Sequence, residues 1–352
     1  MTQGTLTPSS LPTITRERFK LLAAAGRVLR GRESAIFLAF ALVTIAATAK
    51  NPTFLFSVDG WRDLLLTPSV LILLAVGEAV VIITRNVDLS VGSVLGLSTW
   101  ICGQAFIAFP NLPVPVVFII GAVAGALMGT VNGVVVGFFK VPALVVTLGT
   151  LYIFRGITVL WAGSGLITAG ELPDAFTDLG TRSLITIPWL SILALIVVGI
   201  AAWYLKNIRA GRELYAIGSD PAAAKLYGLP TTKRVISTFI LSGALAGVAG
   251  VVSLSRYATA SSQSGSGLEL QAVAAAVIGG VAIFGGSGTI IGAVIGAVLL
   301  VTINRALPVL GIQDFWQQAV VGTLIIGAIL LDRLLLTRRT RKLTIAEDSV
   351  HV

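Results

Sequence analysis

"PSVLILLAVGEAVVIITRNVDLSVGSVLGLSTWICGQAFIAF", residues 68–109, holds two apolar runs divided by a short polar break. Glu78 is the only charge in the runs Pro68–Ile83 and Val91–Phe109. The break carries Arg85, Asn86 and Asp88, with Ser90 and Gly92 directly after. Each run approaches the ~20 residues that an α-helix needs to cross a bilayer core. A helix satisfies its own backbone hydrogen bonds within hydrocarbon. The runs therefore read as successive transmembrane helices and the break as the turn between them.

The same pattern fills the chain. Its 352 residues are 55% hydrophobic and 12% charged, about half the charged fraction of a soluble domain. Ten spans are expected, near 35–49, 68–84, 91–109, 114–139, 142–162, 187–205, 235–253, 270–284, 288–304 and 317–332. The eighth is short enough to be broken or re-entrant. The expected fold class is an all-α polytopic membrane protein of about ten transmembrane helices. Its expected parts are an N-terminal tail (1–34), a transmembrane domain (35–332) containing a long loop at 206–234, and a C-terminal tail (333–352).

Orientation follows from lysine and arginine, which collect on the cytoplasmic side. Arg16, Arg18, Lys20, Arg27, Arg30 and Arg32 precede the first span. Lys206, Arg209, Arg212, Lys225, Lys233 and Arg234 lie between the sixth and seventh. Arg333, Arg338, Arg339, Arg341 and Lys342 follow the tenth; together the three groups hold 17 of the 25 basic residues. All three face one side only if even numbers of spans separate them, and six and four satisfy that. Both termini are then cytoplasmic, in a multi-pass plasma-membrane protein. The net charge of +9 becomes an orientation signal, which argues against nucleic acid as a partner.

Several chemistries lack their residues. The single cysteine, Cys102, lies in an apolar run, and the single histidine, His351, is penultimate. Metal sites and Ser–His or Cys–His catalysis have little to build on, so no catalytic or metal residue is expected. No G-x-x-x-x-G-K-[ST] phosphate loop is present, so a nucleotide motor would have to be a separate protein. Met1–Arg32 has a long polar, basic stretch and no small-residue cleavage site close behind the first apolar run. It is not expected to be a secretion signal.

In the fourth span Gly121, Gly125, Gly129, Gly133 and Gly137 recur every four residues, and Gly288, Gly292 and Gly296 repeat the device in the ninth. Such ridges let a neighbouring backbone approach closely. Ridges in the fourth and ninth of ten spans suit two five-helix repeats, inverted because five is odd.

The 206–234 loop contains a short-helix signature. Asp220 can cap, Pro221 fits the first helical position, Ala222, Ala223 and Ala224 favour helix, and Gly228 can take the left-handed position at the end. The helix is either a surface connector or a knob around which a partner's groove closes.

Four segments carry a resemblance: "NVDLSVGS" (86–93), "NGVVVGFFKVPALVVTLGTLYIFRGI" (132–157), "GRELYAIGSDPAAAKLYGL" (211–229) and "GSGLELQAVAAAVIGGVAIFGGSGTIIGAVIGA" (265–297). The chain resembles permease subunits of ribose-type ABC sugar importers. That family also includes xylose, arabinose, galactose, rhamnose and autoinducer-2 permeases. The resemblance implies a second permease chain (identical or paralogous), two cytoplasmic ATPase subunits and an extracytoplasmic sugar-binding protein. ATP and Mg would be bound by the ATPases, with no cofactor on this chain. The family's Gly-Arg-x-x-Tyr-Ala-x-Gly loop maps onto Gly211, Arg212, Tyr215, Ala216 and Gly218, and the helix after it is expected to touch the ATPase. One departure stands out. The commonest family pattern before Asp-Leu-Ser is Gly-Gly-Ile, where this chain has Arg85, Asn86 and Val87, closer to autoinducer-2 and some rhamnose permeases.

A sugar needs hydrogen-bonding groups along its path, and ionisable residues inside a membrane are functional hypotheses by default. The pathway candidates are Glu78, Asn86, Asp88, Ser90, Gln104, Asn132, Thr147, Thr150, Arg155, Gln271 and Asn304. Each also has a structural reading: Glu78 and Arg155 as a buried bond or pair, Asn132 as an interhelical bond, Asp88 or Ser90 as a helix cap. The expected function is ATP-driven import of a monosaccharide or related polyol. An ion-coupled secondary transporter is the alternative, with Glu78 as its one convincing coupling carboxylate.

Overall fold

The computed structural model describes residues 32–313 and scattered positions from 316 to 327. The tail expected at 333–352, most of the tenth span and nearly all of the 1–34 segment lie outside the described residues.

Helices dominate. The chain runs through α1 (Arg32–Lys50), the one-turn α2 (Thr53–Phe56), α3 (Val58–Leu66), α4 (Pro68–Ile83), α5 (Val91–Ala108), α6 (Val114–Gly137) and α7 (Ala143–Ala162). A short helix α8 (Asp174–Thr181) and a two-residue hairpin, β1 (Ser183–Leu184) with β2 (Ile187–Pro188), lead into α9 (Trp189–Asn207). There follow α10 (Arg209–Ser219), α11 (Pro221–Leu226), α12 (Thr231–Tyr257), α13 (Leu268–Ile278) and α14 (Ile290–Val309). Prolines mark many starts: Pro113, Pro142, Pro188 and Pro230 stand directly before α6, α7, α9 and α12. They stop the preceding chain from continuing as helix and remove no bond the new helix needs.

Among the described residues, seven helices are long and apolar enough to cross a membrane: 58–83 (α3 with α4), α5, α6, α7, α9, α12 and α14. The chain is a polytopic membrane protein. Its centre is α4, every residue of which is buried. A helix apolar all round suits such a position. Around it pack α12, α13, α14 and α9.

The glycine ridge of α6 lies against α12. A side chain at Gly125 would meet the carbonyl of Gly243, and one at Gly129 the carbonyl of Phe239. On α14, Gly292 and Gly296 lie against Gly279 and Ala275 of α13. Gly288 precedes the helix at a φ of 139° beside Val281.

Two non-helical segments run inside the bundle. After α4 the chain turns at Thr84–Arg85 and folds back until the Asp88 amide reaches Glu78, five residues up α4 from its end. After α12, residues 258–267 descend along α5. Ala260 pairs with Ile167 beside Gly103, Ser264 lies against Gly96, and Gly265 against Gly92. From there α13 departs as a helix of only 11 residues, where the sequence left open a full span or a broken segment at 270–284. Residues 279–289 form a glycine-rich loop, with positive φ at Gly280, Gly285, Gly286 and Gly288.

Candidate functional site

Non-helical backbone at membrane depth must find its hydrogen bonds within the protein. Most of the polar candidates are placed where they supply them. Glu78 Oε1 accepts from the Asp88 amide at 3.1 Å. Asp88 Oδ1 accepts from the Ser90 amide (3.0 Å) and the Ser90 hydroxyl (2.6 Å), and Oδ2 accepts from the Ser242 hydroxyl on α12 (3.2 Å). Asn132 on α6 donates to Ser90 Oγ at 2.8 Å. Thr147 on α7 donates to the carbonyls of Ala143 and Val87. Glu78, Asp88, Ser90, Asn132 and Thr147 are all buried, and together they join α4, α5, α6, α7 and α12.

Ser90 occupies the N-cap position of α5, yet its side chain makes no capping bond. Asp88 accepts the Ser90 amide instead, two residues ahead. Asn86 bonds locally to Thr84, and Thr150 to the carbonyls of Val146 and Thr147.

Arg155 serves the second broken segment. Its Nη1 donates to the carbonyls of Ser264 (2.7 Å) and Ser262 (3.4 Å). Glu269, absent from the sequence candidates, lies at the same junction. It bonds the Gly267 amide, approaches Gly92 and acts electrostatically on Arg155. Its remaining oxygen has no hydrogen-bond partner among the described residues. An acidic residue in the first turn of a helix was the one signal for it, and that pattern is common.

Gln271 and Asn304 sit apart from this network. With Thr67, Ser253, Tyr257 and Arg305 they line a cavity of about 260 Å³ between α4, α12, α13 and α14. Arg256 donates to Thr67 at 2.7 Å, and Arg305 stands 4.0 Å from Asp63. Asn304 Oδ1, Arg305 Nη1 and Arg256 Nη1 are buried without hydrogen-bond partners among the described residues. Gln104 is half-buried late in α5.

The residues of the 206–234 loop form a third site. Arg212 donates to the carbonyls of Asn207 and Lys206 at the end of α9, where orphan acceptors and the helix dipole favour a cation. Gly211 packs against the backbone of Tyr204 and Leu205. Burial pushes the Tyr215 phenol pKa up, so its hydroxyl stays a donor to the Gly288 carbonyl at 3.0 Å. Gly218 sits against the Ile83 carbonyl and the Gly286 amide, leaving no room for a side chain. These contacts hold α11 in place. Asp220 accepts from the amides of Ala222 and Ala223, and Gly228 ends the segment at a φ of 76°. Ala224 is buried against the chain itself, while Leu226 and Tyr227 are 89% and 87% exposed.

Glu213 ties this platform to α12. It bonds Arg234 at 2.7 Å and Arg209 at 2.9 Å. The Arg234 bond, aided by Arg209, holds its carboxyl below the ordinary range although burial opposes this. A depressed pKa stabilises the fold fully above the unfolded value, and that contribution is lost only as pH falls through the lowered one. Thermal midpoints of the purified chain should therefore owe no change to Glu213 between about pH 5 and pH 8. Glu213→Gln should lower the midpoint throughout that range, because two guanidinium groups lose their anion.

A family described as "Branched-chain amino acid transport system / permease component" matches residues 62–329. The chain belongs to this permease family. The autoinducer 2 import system permease protein LsrC of Enterobacter sp. (strain 638) is 37% identical over 319 residues, covering 90% of this permease and 92% of the relative. Its counterpart in Escherichia coli (strain K12 / DH10B) is 39% identical over 263 residues, 75% and 76% of the two chains. The Klebsiella pneumoniae LsrC is 35% identical over 310 residues, 87% of each. No solved structure matches the permease. It is of the ribose type of ABC permease, a transport subunit and a multi-pass protein of the inner membrane.

Proposed function

We propose that this permease forms the membrane passage of an ATP-driven importer for autoinducer-2 or a closely similar small polyol. The observation that carries the reading is 37% identity with an autoinducer-2 import permease over an alignment that covers nine tenths of the chain. The 260 Å³ cavity supports it, since Gln271, Asn304 and Arg305 line it with polar side chains suited to a hydroxyl-rich solute. The Glu78–Asp88–Ser90–Asn132 network makes its bonds to the turn before α5 and between helices, which fits it to holding the broken segment. Glu78 Oε2 and Asn132 Oδ1 are buried without hydrogen-bond partners among the described residues.

In this reading the transmembrane domain has ten spans in two inverted sets of five, with both termini and the 206–234 loop in the cytoplasm. The paired broken segments, 84–90 before α5 and 258–267 before α13, support the repeat. The basic residues of the loop support the sidedness. A second permease chain, two ATPase subunits carrying ATP and Mg, and an extracytoplasmic binding protein complete the transporter.

The platform α10 then presents α11 to the ATPase, and the exposed Leu226 and Tyr227 are its contact. Leu226→Asp with Tyr227→Asp should abolish co-purification with the ATPase while the permease still inserts and folds. Normal co-purification would exclude the contact. The function itself is tested by uptake of autoinducer-2 into proteoliposomes holding permease, ATPase and binding protein. Accumulation should require ATP, and uptake driven by an ion gradient without the ATPase would refute the reading.

A further inference from the structure

Arg85 stands in the polar break between α4 and α5. It follows the end of α4 with a φ of 65°, a left-handed conformation that costs a non-glycine residue roughly 1–2 kcal/mol. The side chain has compensating contacts. Nε donates to the Phe284 carbonyl at 2.8 Å, and Nη2 donates to the Ser219 carbonyl at 3.0 Å.

Those two acceptors belong to different parts of the molecule. Phe284 is in the loop that follows the half-length helix α13. Ser219 is the last residue of α10, immediately before the Asp220 cap of α11. Arg85 itself begins the broken segment that leads to α5. One planar fork therefore joins the docking helix to both broken transmembrane helices. The junction is reinforced by backbone, since the Gly286 amide donates to the Ile83 carbonyl at 2.9 Å. Tyr215 bonds Gly288 in the same loop. The starts of α5 and α13 also meet, where Glu269 and Gly265 approach Gly92.

We infer that Arg85 is a positioning residue that passes displacement of the docking helix α11 to the start of α5 and the end of α13. This rests on the proposed function, because it needs an ATPase to move α11. The fork's two bonds diverge, so a shift of Ser219 pulls on the α4–α5 turn and on the 279–289 loop together. Lysine cannot replace this, since it carries a point charge on a flexible stem without the rigid fork.

The discriminating variant is Arg85→Gly, which keeps the left-handed backbone without strain and removes the whole side chain, guanidinium included. In proteoliposomes with ATPase, binding protein and autoinducer-2 as probe, the solute moved per ATP hydrolysed should fall at least about tenfold, the scale of a single lost charge-assisted bond. The complex should still co-purify, and Arg85→Lys should show a similarly low ratio. A wild-type ratio in Arg85→Gly, or full rescue by Arg85→Lys, would overturn the inference. So would loss of ATPase co-purification, because Arg85 would then hold the dock in place without relaying its motion. Absence of ATP-driven uptake by the wild-type permease would instead count against the function beneath it.

Discussion

Asp88→Asn should fold and transport close to wild type, whereas Asp88→Ala should lose both. The carboxylate accepts three hydrogen bonds in a site closed to solvent, from the Ser90 amide, the Ser90 hydroxyl and the Ser242 hydroxyl. Asparagine reproduces that pattern. Its Oδ1 can accept both Ser90 donors, and its Nδ2 can donate to Ser242 Oγ. It also removes one of two neighbouring buried carboxyl groups, easing repulsion with Glu78. Alanine strands the Ser90 amide, which has no second acceptor, and leaves two hydroxyls to find others. At about 1–3 kcal/mol for each stranded buried group, the total approaches a large share of a typical domain's 5–15 kcal/mol. Thermal unfolding in detergent and uptake in proteoliposomes read the two effects separately. An Asp88→Asn variant that folds normally yet fails to transport would show that the charge itself serves passage, as a gate at the start of α5.

Where sequence and structure agree, one kind of physics governs. Long apolar runs become α4, α5, α6, α7, α9, α12 and α14 because lipid leaves the backbone no other partner. Asp220, Pro221 and Gly228 form a helix with a cap and a left-handed end because those preferences are local. The differences arise where backbone partners come from far away. "GGVAIFGGSGT", 279–289, is as apolar as a helix end, yet four of its five glycines take positive φ and α13 stops at Ile278. Hydropathy registers carbon and is blind to that. "SSQSGSG", 261–267, reads as a surface loop by composition, but it lies along α5 because Arg155, 107 residues earlier in the chain, donates to its carbonyls. Arg155 and Glu78 were conspicuous as ionisable groups within spans. Their partners, Ser262, Ser264 and the Asp88 amide, were not, since a backbone carbonyl or amide has no signature in sequence. Glu269 and Arg85 escaped for the same reason: each is an ordinary terminal charge until the fold brings a second segment to it.

Gly125→Leu should eliminate the folded permease, and Gly199→Leu should leave it intact, although both put the same side chain into a transmembrane helix. At Gly125 the first added carbon already overlaps the Gly243 carbonyl of α12, with the Gly247 amide nitrogen 2.9 Å away. Both obstacles are backbone, so no rotamer change relieves them. The contact is reciprocal, since a side chain at Gly243 would meet the Gly125 carbonyl and one at Gly247 the Gly121 carbonyl. Relief requires α6 and α12 to separate, which forfeits close packing along the whole ridge. Membrane helices associate through such packing because lipid gives them no hydrophobic drive to do so. Overpacking in an ordinary core costs typically about 1–3 kcal/mol, and a backbone-to-backbone seam that cannot repack belongs above that range. Gly199 on α9 is exposed and has no atom within 4 Å of the added carbon, so leucine there meets only lipid. Size-exclusion profiles and thermal midpoints of the two purified variants compare the sites directly. A monodisperse Gly125→Leu with a wild-type midpoint would mean that α6 and α12 do not pack through this ridge.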